Sequence, residues 1–305
     1  MSSWRIVFLG TPDFAVESLK ALLQAGYNVV GVVTAPDKRA GRGQKLSESA
    51  VKQYAQEQGL PILQPIKLKD PEFIAQLSAL KPDLQVVVAF RMLPETVWNL
   101  PPQGTVNVHG SLLPKYRGAA PINWAILNGE KETGVSTFKL QHEIDTGDIL
   151  LQEKMPIGPN ETAGELHDRM KVEGAQLLVK TLQELANGTL KASQQQLNSD
   201  IKHAPKLFKT DCEIDWNNTS EQIHNQIRGL SPYPTAFTVL GDKTLKIFSA
   251  EIEPGKPEIP AGTFSSDHKS YLKFAATDGY LSLKEMQLEG KKKMGIEEFL
   301  RGVRL

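Results

Sequence analysis

Residues 84–89 read Leu-Gln-Val-Val-Val-Ala, an almost uninterrupted apolar run. A short β-branched run without polar alternation is typical of a strand that is covered on both faces, as in the middle of a parallel sheet. On both sides of this run, short β-branched stretches alternate with amphipathic segments, which is the pattern of repeated βα units. The sequence therefore predicts an α/β fold with a doubly wound, mostly parallel sheet in its first half.

The same periodicities predict the elements around this strand. Further strands are expected at residues 6–9, 29–33, 61–63, 105–108, 135–140 and 149–155. Helices are expected at residues 14–24, 50–58, 71–80, 121–127 and from 162 to about 185. Thr162 is a suitable N-cap for the last helix, and Glu165 suits the positive end of its dipole.

The second half of the chain has a different texture. Residues 189–209 contain a Gln run and a Pro without helical or strand periodicity, which predicts a linker. A helix at 221–228 then precedes short strands separated by Gly, Pro and Asp, a pattern that favours a small, OB-like β-barrel. These strands are expected at residues 236–240, 244–251, 262–264, 271–275 and 280–286. We therefore predict domains at residues 1–188 and 210–305.

The composition is that of an ordinary globular protein of 305 residues. The chain has 35 lysine and arginine residues and 35 aspartate and glutamate residues. Its net charge is therefore zero and does not indicate a polyanionic partner. The single cysteine, Cys212, excludes an internal disulfide and fits a reducing compartment. The N-terminal apolar run lacks a cleavage site, and no apolar stretch reaches the roughly 20 residues that a membrane span needs. We therefore expect a cytoplasmic protein without membrane association.

The first βα turn does not have the glycines of a dinucleotide-binding loop. It reads Gly10-Thr11-Pro12-Asp13, and Pro12 stands where the G-x-G-x-x-G pattern has its second glycine. This difference disfavours a nicotinamide cofactor. A tight turn in which Thr11 or Asp13 caps the following helix accounts for the segment.

A polar segment overlaps the end of the predicted strand at 105–108. Residues 107–121 read Asn-Val-His-Gly-Ser-Leu-Leu-Pro-Lys-Tyr-Arg-Gly-Ala-Ala-Pro. Strand alternation places Asn107 and His109 on one side, at the carboxyl end where open α/β sheets bind ligands. Asp145 lies in a polar loop, and a carboxylate, an imidazole and an amide together suit attack on a carbonyl carbon. Taken singly, a structural histidine and a turn-forming aspartate are the alternatives.

Four segments follow one another in a characteristic order. They are residues 5–15 (RIVFLGTPDFA), 107–121, 145–148 (DTGD) and 206–216 (KLFKTDCEIDW). Together they resemble the 10-formyltetrahydrofolate-dependent formyltransferase family, and within it the methionyl-tRNA formyltransferases. The resemblance spans both halves of the chain, and the long segment with Ser-Leu-Leu-Pro is highly specific. It implies a Rossmann-like N-terminal domain and an OB-like C-terminal domain that binds tRNA.

The resemblance also implies a reaction and the residues that perform it. The co-substrate would be 10-formyltetrahydrofolate, whose formyl group passes directly to an amine without a metal or a covalent intermediate. The catalytic residues of the family fall on Asn107 and His109, which would hold the oxyanion, and on Asp145, which would take the amine proton. The positions implied to contact the folate are Phe90, Met92, Leu93, Ser111, Leu112, Leu113 and Pro114.

Basic residues outside the catalytic and folate-contacting positions indicate which amine accepts the formyl group. Residues 34–46 carry four basic side chains and one acid in a glycine-flanked loop, which fits contacts to phosphate. The resemblance implies that this loop meets the acceptor stem of initiator Met-tRNA, with Arg42 reaching in, and we expect a monomer. The residues expected to contact tRNA are Lys38, Arg39, Arg42, Lys45, Lys206, Lys291, Lys292 and Lys293.

Other functions share part of this pattern. Formyltransferases that act on a nucleotide-linked amino sugar share the long segment but usually lack the basic loop, and they are the main alternative. Those that act on another small amine, glycinamide ribonucleotide, use a similar core and folate but look like single domains without the C-terminal region. A non-catalytic tRNA-binding protein would leave the three catalytic candidates without a role, and a formyl-folate hydrolase would leave the basic loop without one. The chain departs from the family pattern at Phe208, at Cys212 and at residues 231–234, where Ser-Pro-Tyr-Pro replaces Asn-Pro-Trp-Pro.

Overall fold

The structure is a computed structural model that describes residues 4–40, 45–196 and 201–303. Within these ranges, no helix combines the length and the apolar character that crossing a membrane requires.

The first half of the chain alternates strands and helices, as predicted. Its strands are β1 (Arg5–Gly10), β2 (Asn28–Val33), β3 (Lys38–Ala40), β4 (Lys45–Ser47), β5 (Ile62–Leu63), β6 (Leu84–Val88), β7 (Thr105–His109), β8 (Arg117–Gly118), β9 (Glu132–Lys139) and β10 (Ile149–Pro156). Its helices are α1 (Asp13–Gln24), α2 (Ala50–Glu57), α3 (Pro71–Ala79), α4 (Glu95–Trp98), α5 (Pro121–Leu127) and α6 (Ala163–Ala186). Periodicity does not predict β3, β4 or α4, because each is too short to show a repeat.

Seven of these strands form one sheet in the order β10-β9-β7-β6-β1-β2-β5. β1 pairs in parallel with β2 and β6, and β6 pairs in parallel with β7. On its other edge β7 pairs with β9, which runs antiparallel to it. β6 carries the apolar run of residues 84–88, and all of its residues are buried, as expected for a strand covered on both faces. The prediction of a Rossmann-like α/β fold is therefore confirmed.

Helix α6 begins where its capping residues predict. The Thr162 hydroxyl accepts a hydrogen bond from the backbone N–H of Glu165 at 3.2 Å. In return, the Glu165 carboxylate accepts from the backbone N–H of Thr162 at 2.8 Å. Hydrogen bonds from the backbone N–H and from the hydroxyl of Thr162 lower the pKa of Glu165 below its ordinary value. This reciprocal arrangement satisfies N–H groups that the first turn of a helix leaves without partners.

The second half of the chain is built around an antiparallel sheet. Its strands are β11 (His203–Ala204), β12 (Ala236–Leu240), β13 (Lys243–Pro254), β14 (Phe264–Ser266), β15 (Leu272–Ala275), β16 (Gly279–Leu288) and β17 (Met294–Gly295). Its helices are α7 (Ser220–Leu230) and α8 (Ile296–Gly302), preceded by a 3₁₀ helix at Lys209–Cys212. The sheet order is β12-β13-β16-β15-β14, and β17 pairs with β16. This curled sheet agrees with the predicted small, barrel-like domain.

Helix α8 is not predicted by the sequence. It has seven residues, fewer than an isolated helix needs to be stable in water. Phe299 on this helix is fully buried, and Leu300 is 8% exposed, within the core of the second half. Tertiary burial therefore stabilises α8, and a local pattern cannot reveal that contribution.

The chain separates into two compact units that alternate along the sequence. The first comprises Met1–Arg117, Gly134–Met155 and His167–Lys202. The second comprises Gly118–Thr133, Pro156–Leu166 and His203–Leu305. The first has an apolar cluster that includes residues of β1, β6 and α3. The second has a core that joins α7 and α8 to the antiparallel sheet.

Candidate active site

Strand β7 places the amide and the imidazole at the carboxyl edge of the parallel sheet. Asn107 lies opposite Val87 of β6 and Phe138 of β9, and His109, the last residue of β7, lies opposite Ser136. Because side chains alternate along a strand, Asn107 and His109 project from the same face. Neighbouring strands on both sides fix the backbone of Asn107, and β9 fixes that of His109.

His109 is buried, with 7% of its surface exposed, and each of its ring nitrogens faces an oxygen. Nε2 lies 2.9 Å from the backbone oxygen of Tyr116. Since a carbonyl oxygen only accepts hydrogen bonds, Nε2 must carry the hydrogen. The nitrogen that can exchange a proton is therefore Nδ1, which lies 3.8 Å from Oδ2 of Asp145. That separation exceeds a direct hydrogen bond and leaves room for a bridging water or substrate atom.

Asp145 is held in the loop between β9 and β10. Its backbone has a φ of 54°, in the left-handed region that non-glycine residues rarely adopt, and only 9% of the residue is exposed. Nearby, the backbone of Gly147 packs so closely on Lys139 that a Cβ atom would lie 1.6 Å from the Lys139 carbonyl oxygen. A glycine is therefore required at 147 for this loop conformation.

The amide of Asn107 has an acceptor that no described residue satisfies. Its Oδ1 atom is buried and has no hydrogen-bond donor within the described ranges. A buried acceptor without a donor lowers the free energy of unfolding by about 1 to 3 kcal/mol. Such acceptors are therefore rare in protein interiors. The position of Asn107 near the sheet edge makes an N–H group of a bound molecule the natural donor.

The segment after β7 is fixed to the sheet by a hydroxyl and an amide. The Ser136 hydroxyl donates to the backbone oxygen of Ser111 at 2.6 Å and accepts from the backbone N–H of Leu113 at 3.0 Å. Gln152 donates to the carbonyl of Leu113 at 3.0 Å and to the Ser136 hydroxyl at 2.7 Å. These contacts fix the backbone of a segment that the family resemblance assigns to folate binding.

The side chains of the same segment differ in exposure. Ser111 is fully buried, and its hydroxyl donates to the carbonyl of Lys115 at 2.7 Å. Leu113 is also buried, at 3% exposed, whereas Leu112 and Pro114 are half-buried. Side-chain contacts to a ligand are therefore more accessible at Leu112 and Pro114 than at Ser111 and Leu113.

Residues 90–93 lie just beyond β6 at the same edge of the sheet. Phe90 and Leu93 are half-buried against the apolar cluster of the first unit, while Met92 is 74% exposed. The Arg91 guanidinium lies 5.6 Å from the centre of the Phe90 ring and donates to the Ile66 carbonyl at 2.9 Å. The segment thus presents an apolar surface beside a fixed cation.

The basic loop is flanked by a two-stranded hairpin. β3 and β4 pair Lys38 with Ser47, Arg39 with Leu46 and Ala40 with Lys45. Lys38 is exposed. Arg42, the residue expected to reach furthest into the tRNA, lies outside the described residues. The ends of the predicted basic loop are therefore paired with each other.

A charged cluster lies at the base of this hairpin. Lys52 is 9% exposed and contacts Glu48 at 2.8 Å and Asp37 at a shorter distance. Gln64 donates to the second oxygen of Asp37 at 2.8 Å. Hydrogen bonds from Lys52 and then Gln64 lower the pKa of Asp37. Hydrogen bonds to Asp37 and then to Glu48 raise the pKa of Lys52. The one acid of the basic loop is thus held by a lysine of α2.

The predicted basic residues of the second unit are all exposed. Lys206 lies 5.8 Å from the ring centre of Phe208, which is itself 60% exposed. Lys292 contacts Glu298 at 3.1 Å, and Lys293 contacts Glu285 at 2.8 Å, while Lys291 is exposed beside them. Two of the three consecutive lysines therefore have an acidic neighbour that offsets their charge.

One group of residues has the composition of a metal site. Asp13, His167 and Asp168 bring possible ligand atoms within 4.8 Å of one another. The Lys171 ammonium contacts Asp168 at 2.7 Å and Asp13 at 3.5 Å. Lys171 therefore already supplies a positive charge to these carboxylates.

Two further residues of the first unit hold the Asp145 loop, and no sequence pattern identifies either of them. Gln195 contacts the loop directly, and Arg117 contacts Gln195. The Gln195 amide donates to the backbone oxygens of Asp145 and Gly147 at 2.8 and 2.7 Å. Arg117 in turn donates to the Gln195 side-chain oxygen. Gln195 sits in the predicted linker, where a run of glutamines gives no local signal of a specific contact.

Family models match both halves of the chain. The formyl transferase model matches residues 4–182, and the model of the formyl transferase C-terminal domain matches residues 206–304. The chain is 53% identical to a methionyl-tRNA formyltransferase of Parabacteroides distasonis, over 98% of this chain and 95% of the relative. It is 51% identical to that of Bacteroides thetaiotaomicron, over 99% of this chain and 96% of the relative.

Solved structures show the same fold at lower identity. An N-formyltransferase from Helicobacter canadensis, solved with folinic acid and dTDP-3-aminofucose, superposes with a TM-score of 0.68. It is 22% identical and covers 95% of this chain and 100% of its own. On the strength of the two family models and of relatives with about half of their residues identical, the chain belongs to the formyl transferase family, in the group of the methionyl-tRNA formyltransferases.

Proposed function

We propose that this chain transfers the formyl group of 10-formyltetrahydrofolate to the amino group of the methionine on initiator Met-tRNA. The observation that carries this function is the near full-length identity of 53% with a methionyl-tRNA formyltransferase. The geometry agrees, because Asn107, His109 and Asp145 are the groups that acyl transfer to an amine needs.

In the proposed reaction, the neutral amine attacks the formyl carbon and forms the new C–N bond. The carbonyl electron pair moves to oxygen, and Asn107 stabilises that oxyanion through its amide N–H, joined by His109 once Nδ1 has taken up the amine proton. The bond between the formyl carbon and the folate nitrogen then breaks, and the nitrogen takes up a proton as tetrahydrofolate leaves. The proton that the amine loses balances the one that the folate nitrogen gains. Direct transfer of this kind needs neither a metal nor a covalent intermediate.

The hydrogen bonds of the site support separate roles for its groups. The Oδ1 atom of Asn107, which lacks a donor among the described residues, can accept from the attacking amine while Nδ2 donates to the oxyanion. Nδ1 of His109 faces Asp145 across 3.8 Å, a gap in which the amine proton or a water can bridge the two groups. Asp145 is then the first acceptor of the amine proton, and His109 relays it.

A cysteine nucleophile would be the alternative to direct transfer. Burial raises the pKa of the Cys212 thiol, so the reactive thiolate is disfavoured. The thiol also donates a hydrogen bond to the backbone oxygen of Phe208, with Sγ 3.3 Å from that oxygen. Cys212 is therefore a packing residue in this proposal.

We propose that the folate lies along the carboxyl edge of the sheet. Phe90, Met92 and Leu93 would contact the pterin, whose flat ring suits an apolar surface with a few hydrogen-bonding groups. Residues 111–114 would form the opposite wall, through Leu112 and Pro114 side chains and through backbone that Ser136 holds in place.

For the acceptor, we propose contacts from the hairpin loop and from the second unit. Lys38, Arg39, Arg42 and Lys45 would meet the acceptor stem, and Lys206 together with residues 291–293 would meet backbone phosphates elsewhere. The first family model ends at residue 182 and the second begins at residue 206, which supports a catalytic domain at 1–188 and a tRNA-binding domain at 210–305. The enzyme would act as a monomer in the cytoplasm.

A formylation assay tests the function. Purified protein and 10-formyltetrahydrofolate would be offered initiator Met-tRNA, glycinamide ribonucleotide and a nucleotide-linked amino sugar in parallel. We expect product on Met-tRNA alone. Product on the amino sugar alone would favour the alternative function, and formate release without an acceptor would indicate a hydrolase.

A further inference from the structure

The glutamine run at 194–196 contains one residue that differs from its neighbours. Gln194 and Gln196 are exposed, whereas Gln195 is half-buried. Just before the run, Ser193 exchanges two backbone hydrogen bonds with Ile149 at the start of β10, at 2.8 and 2.9 Å. This pairing attaches the segment to the sheet and brings the Gln195 side chain to the Asp145 loop.

All four polar contacts of the Gln195 side chain are directional. Its amide nitrogen donates to the backbone oxygens of Asp145 and Gly147, at 2.8 and 2.7 Å. Its amide oxygen accepts from Nε of Arg117 at 3.1 Å and from Nη2 at 2.5 Å. A guanidinium only donates and a carbonyl only accepts, so the amide can sit in this place in one orientation.

The contacts explain how Asp145 keeps its unusual backbone. A φ of 54° is unfavourable for an aspartate and persists only where the surroundings determine it from several sides. Gly147 holds the loop from one side by packing on Lys139. Gln195 holds the carbonyl of Asp145 itself, and Arg117 fixes Gln195 with a charge-assisted pair of hydrogen bonds.

We infer that Gln195, oriented by Arg117, is a positioning residue that sets the Asp145 carboxylate against His109. Neither residue touches the reacting atoms. The inference rests on the proposed function, in which Asp145 takes the amine proton. It assigns a catalytic consequence to a segment whose sequence predicts only a linker.

The test replaces Gln195 with a glutamate of nearly the same shape. In Gln195→Glu the carboxylate still accepts from Arg117 but no longer donates to the two carbonyl oxygens. We expect kcat to fall by up to about 10²-fold, the effect of misplacing a catalytic group by about 1 Å, while KM for folate and for Met-tRNA changes little. Gln194→Glu and Gln196→Glu place the same charge in the same run and should keep wild-type kcat.

A double-mutant cycle separates positioning from a general structural effect. If Gln195 acts through Asp145, Gln195→Glu should have almost no further effect on single-turnover rate in an Asp145→Asn background. Arg117→Met, which removes the hold on Gln195 without touching the loop, should lower kcat in the same direction and lose its effect in that background too. Thermal midpoints of all variants identify any that fail to fold.

The outcomes are distinguishable. A wild-type kcat in both Gln195→Glu and Arg117→Met, or equal effects with and without the Asp145 carboxylate, would overturn the positioning role. Failure of the wild-type enzyme to formylate Met-tRNA would instead overturn the proposed function. In that case the same ratios would be measured with whichever amine the enzyme formylates.

Discussion

At the carboxyl edge of the parallel sheet, His109 and Asp145 are each less than a tenth exposed. Their neighbours, Tyr116 and Gln195, contact them through backbone and side-chain atoms at 2.8 to 2.9 Å. In the antiparallel half, Lys291, Lys292 and Lys293, here called the lysine patch, are all exposed. Lys292 and Lys293 touch carboxylates of their own unit.

The difference follows from what each region has to do. A proton transfer depends on distances of a fraction of an ångström, so its groups are buried and held by neighbours that cannot move independently. A phosphate contact depends on charge at longer range, so exposed and loosely held lysines are sufficient. Substitutions at the sheet edge should therefore change kcat, and those in basic regions should change acceptor binding and its response to salt.

The largest effect should come from removing the groups that hold the oxyanion. We expect Asn107→Ala and His109→Ala each to lower kcat/KM by at least about 10²-fold, or ~3 kcal/mol, because the first removes the amide that donates to the oxyanion and the second removes the imidazole that carries the amine proton. His142→Ala, at an exposed position in the same loop as Asp145, should be nearly neutral and serves as the control. Activity is measured as initial rates, with circular dichroism to verify folding. Near-normal rates in both variants would refute the catalytic assignment.

The next effect concerns the backbone of the Asp145 loop. In Gly147→Ala the added methyl would meet the Lys139 carbonyl, so the loop must shift. We expect kcat to fall by about 10²-fold and stability to fall by about 1 to 3 kcal/mol. Gly302→Ala, where the methyl enters open space, is the matched control. Unchanged kcat together with the loss of stability would show that the loop tolerates displacement.

A smaller effect is expected from the basic loop. Arg42→Ala should raise KM for Met-tRNA and reduce the slope of log affinity against log salt by about 1, because one phosphate contact is lost. Lys293→Ala should have less effect, since Glu285 already offsets the charge of Lys293. Folate affinity, measured by fluorescence quenching, should be unchanged in both. Loss of folate binding in Arg42→Ala would contradict the separation of the two sites.

The smallest effect concerns His224, a buried histidine of the second unit. Burial, and then the charge of Arg228, lowers the pKa of His224 in α7 below its ordinary value. The unfolded chain takes up a proton at His224 near pH 6.5, whereas the folded chain resists it, so stability falls as pH drops below that value. The slope for one proton is at most about 1.4 kcal/mol for each pH unit. His224→Gln should flatten the dependence of the thermal midpoint between pH 7.5 and 5.5, and an unchanged dependence would contradict this origin.

Parts of the molecule that depend on local pattern could be predicted from the sequence. The buried strand β6 follows from its apolar run, and the start of α6 follows from Thr162 and Glu165. Asn107 and His109 follow from strand alternation and from the edge of the sheet at which β7 ends. The pairing of His109 with Asp145 follows only when the family resemblance is added.

Other parts depend on contacts between residues that are distant in sequence. Helix α8 is stabilised by burial of Phe299. Its seven residues are too few to show a helical periodicity in the sequence. The state of the His109 ring is set by a backbone oxygen of Tyr116, an atom that every residue has. In the sequence, Gln195 cannot be distinguished from Gln194 and Gln196. In the structure, the pairing of Ser193 with Ile149 brings Gln195 to the Asp145 loop.

The alternation of the two units along the chain has a consequence for synthesis on the ribosome. Residues 118–133 belong to the second unit, yet most of that unit is made much later. The Trp124 side chain donates a hydrogen bond to the carbonyl of Pro205, which lies 81 residues further along the chain. The Asn123 side chain donates to the carbonyl of Gly229, which lies 106 residues further along. A nascent chain that stops before residue 203 therefore leaves these groups without their partners. Separate expression of the two halves should give an insoluble first half unless the second is supplied with it.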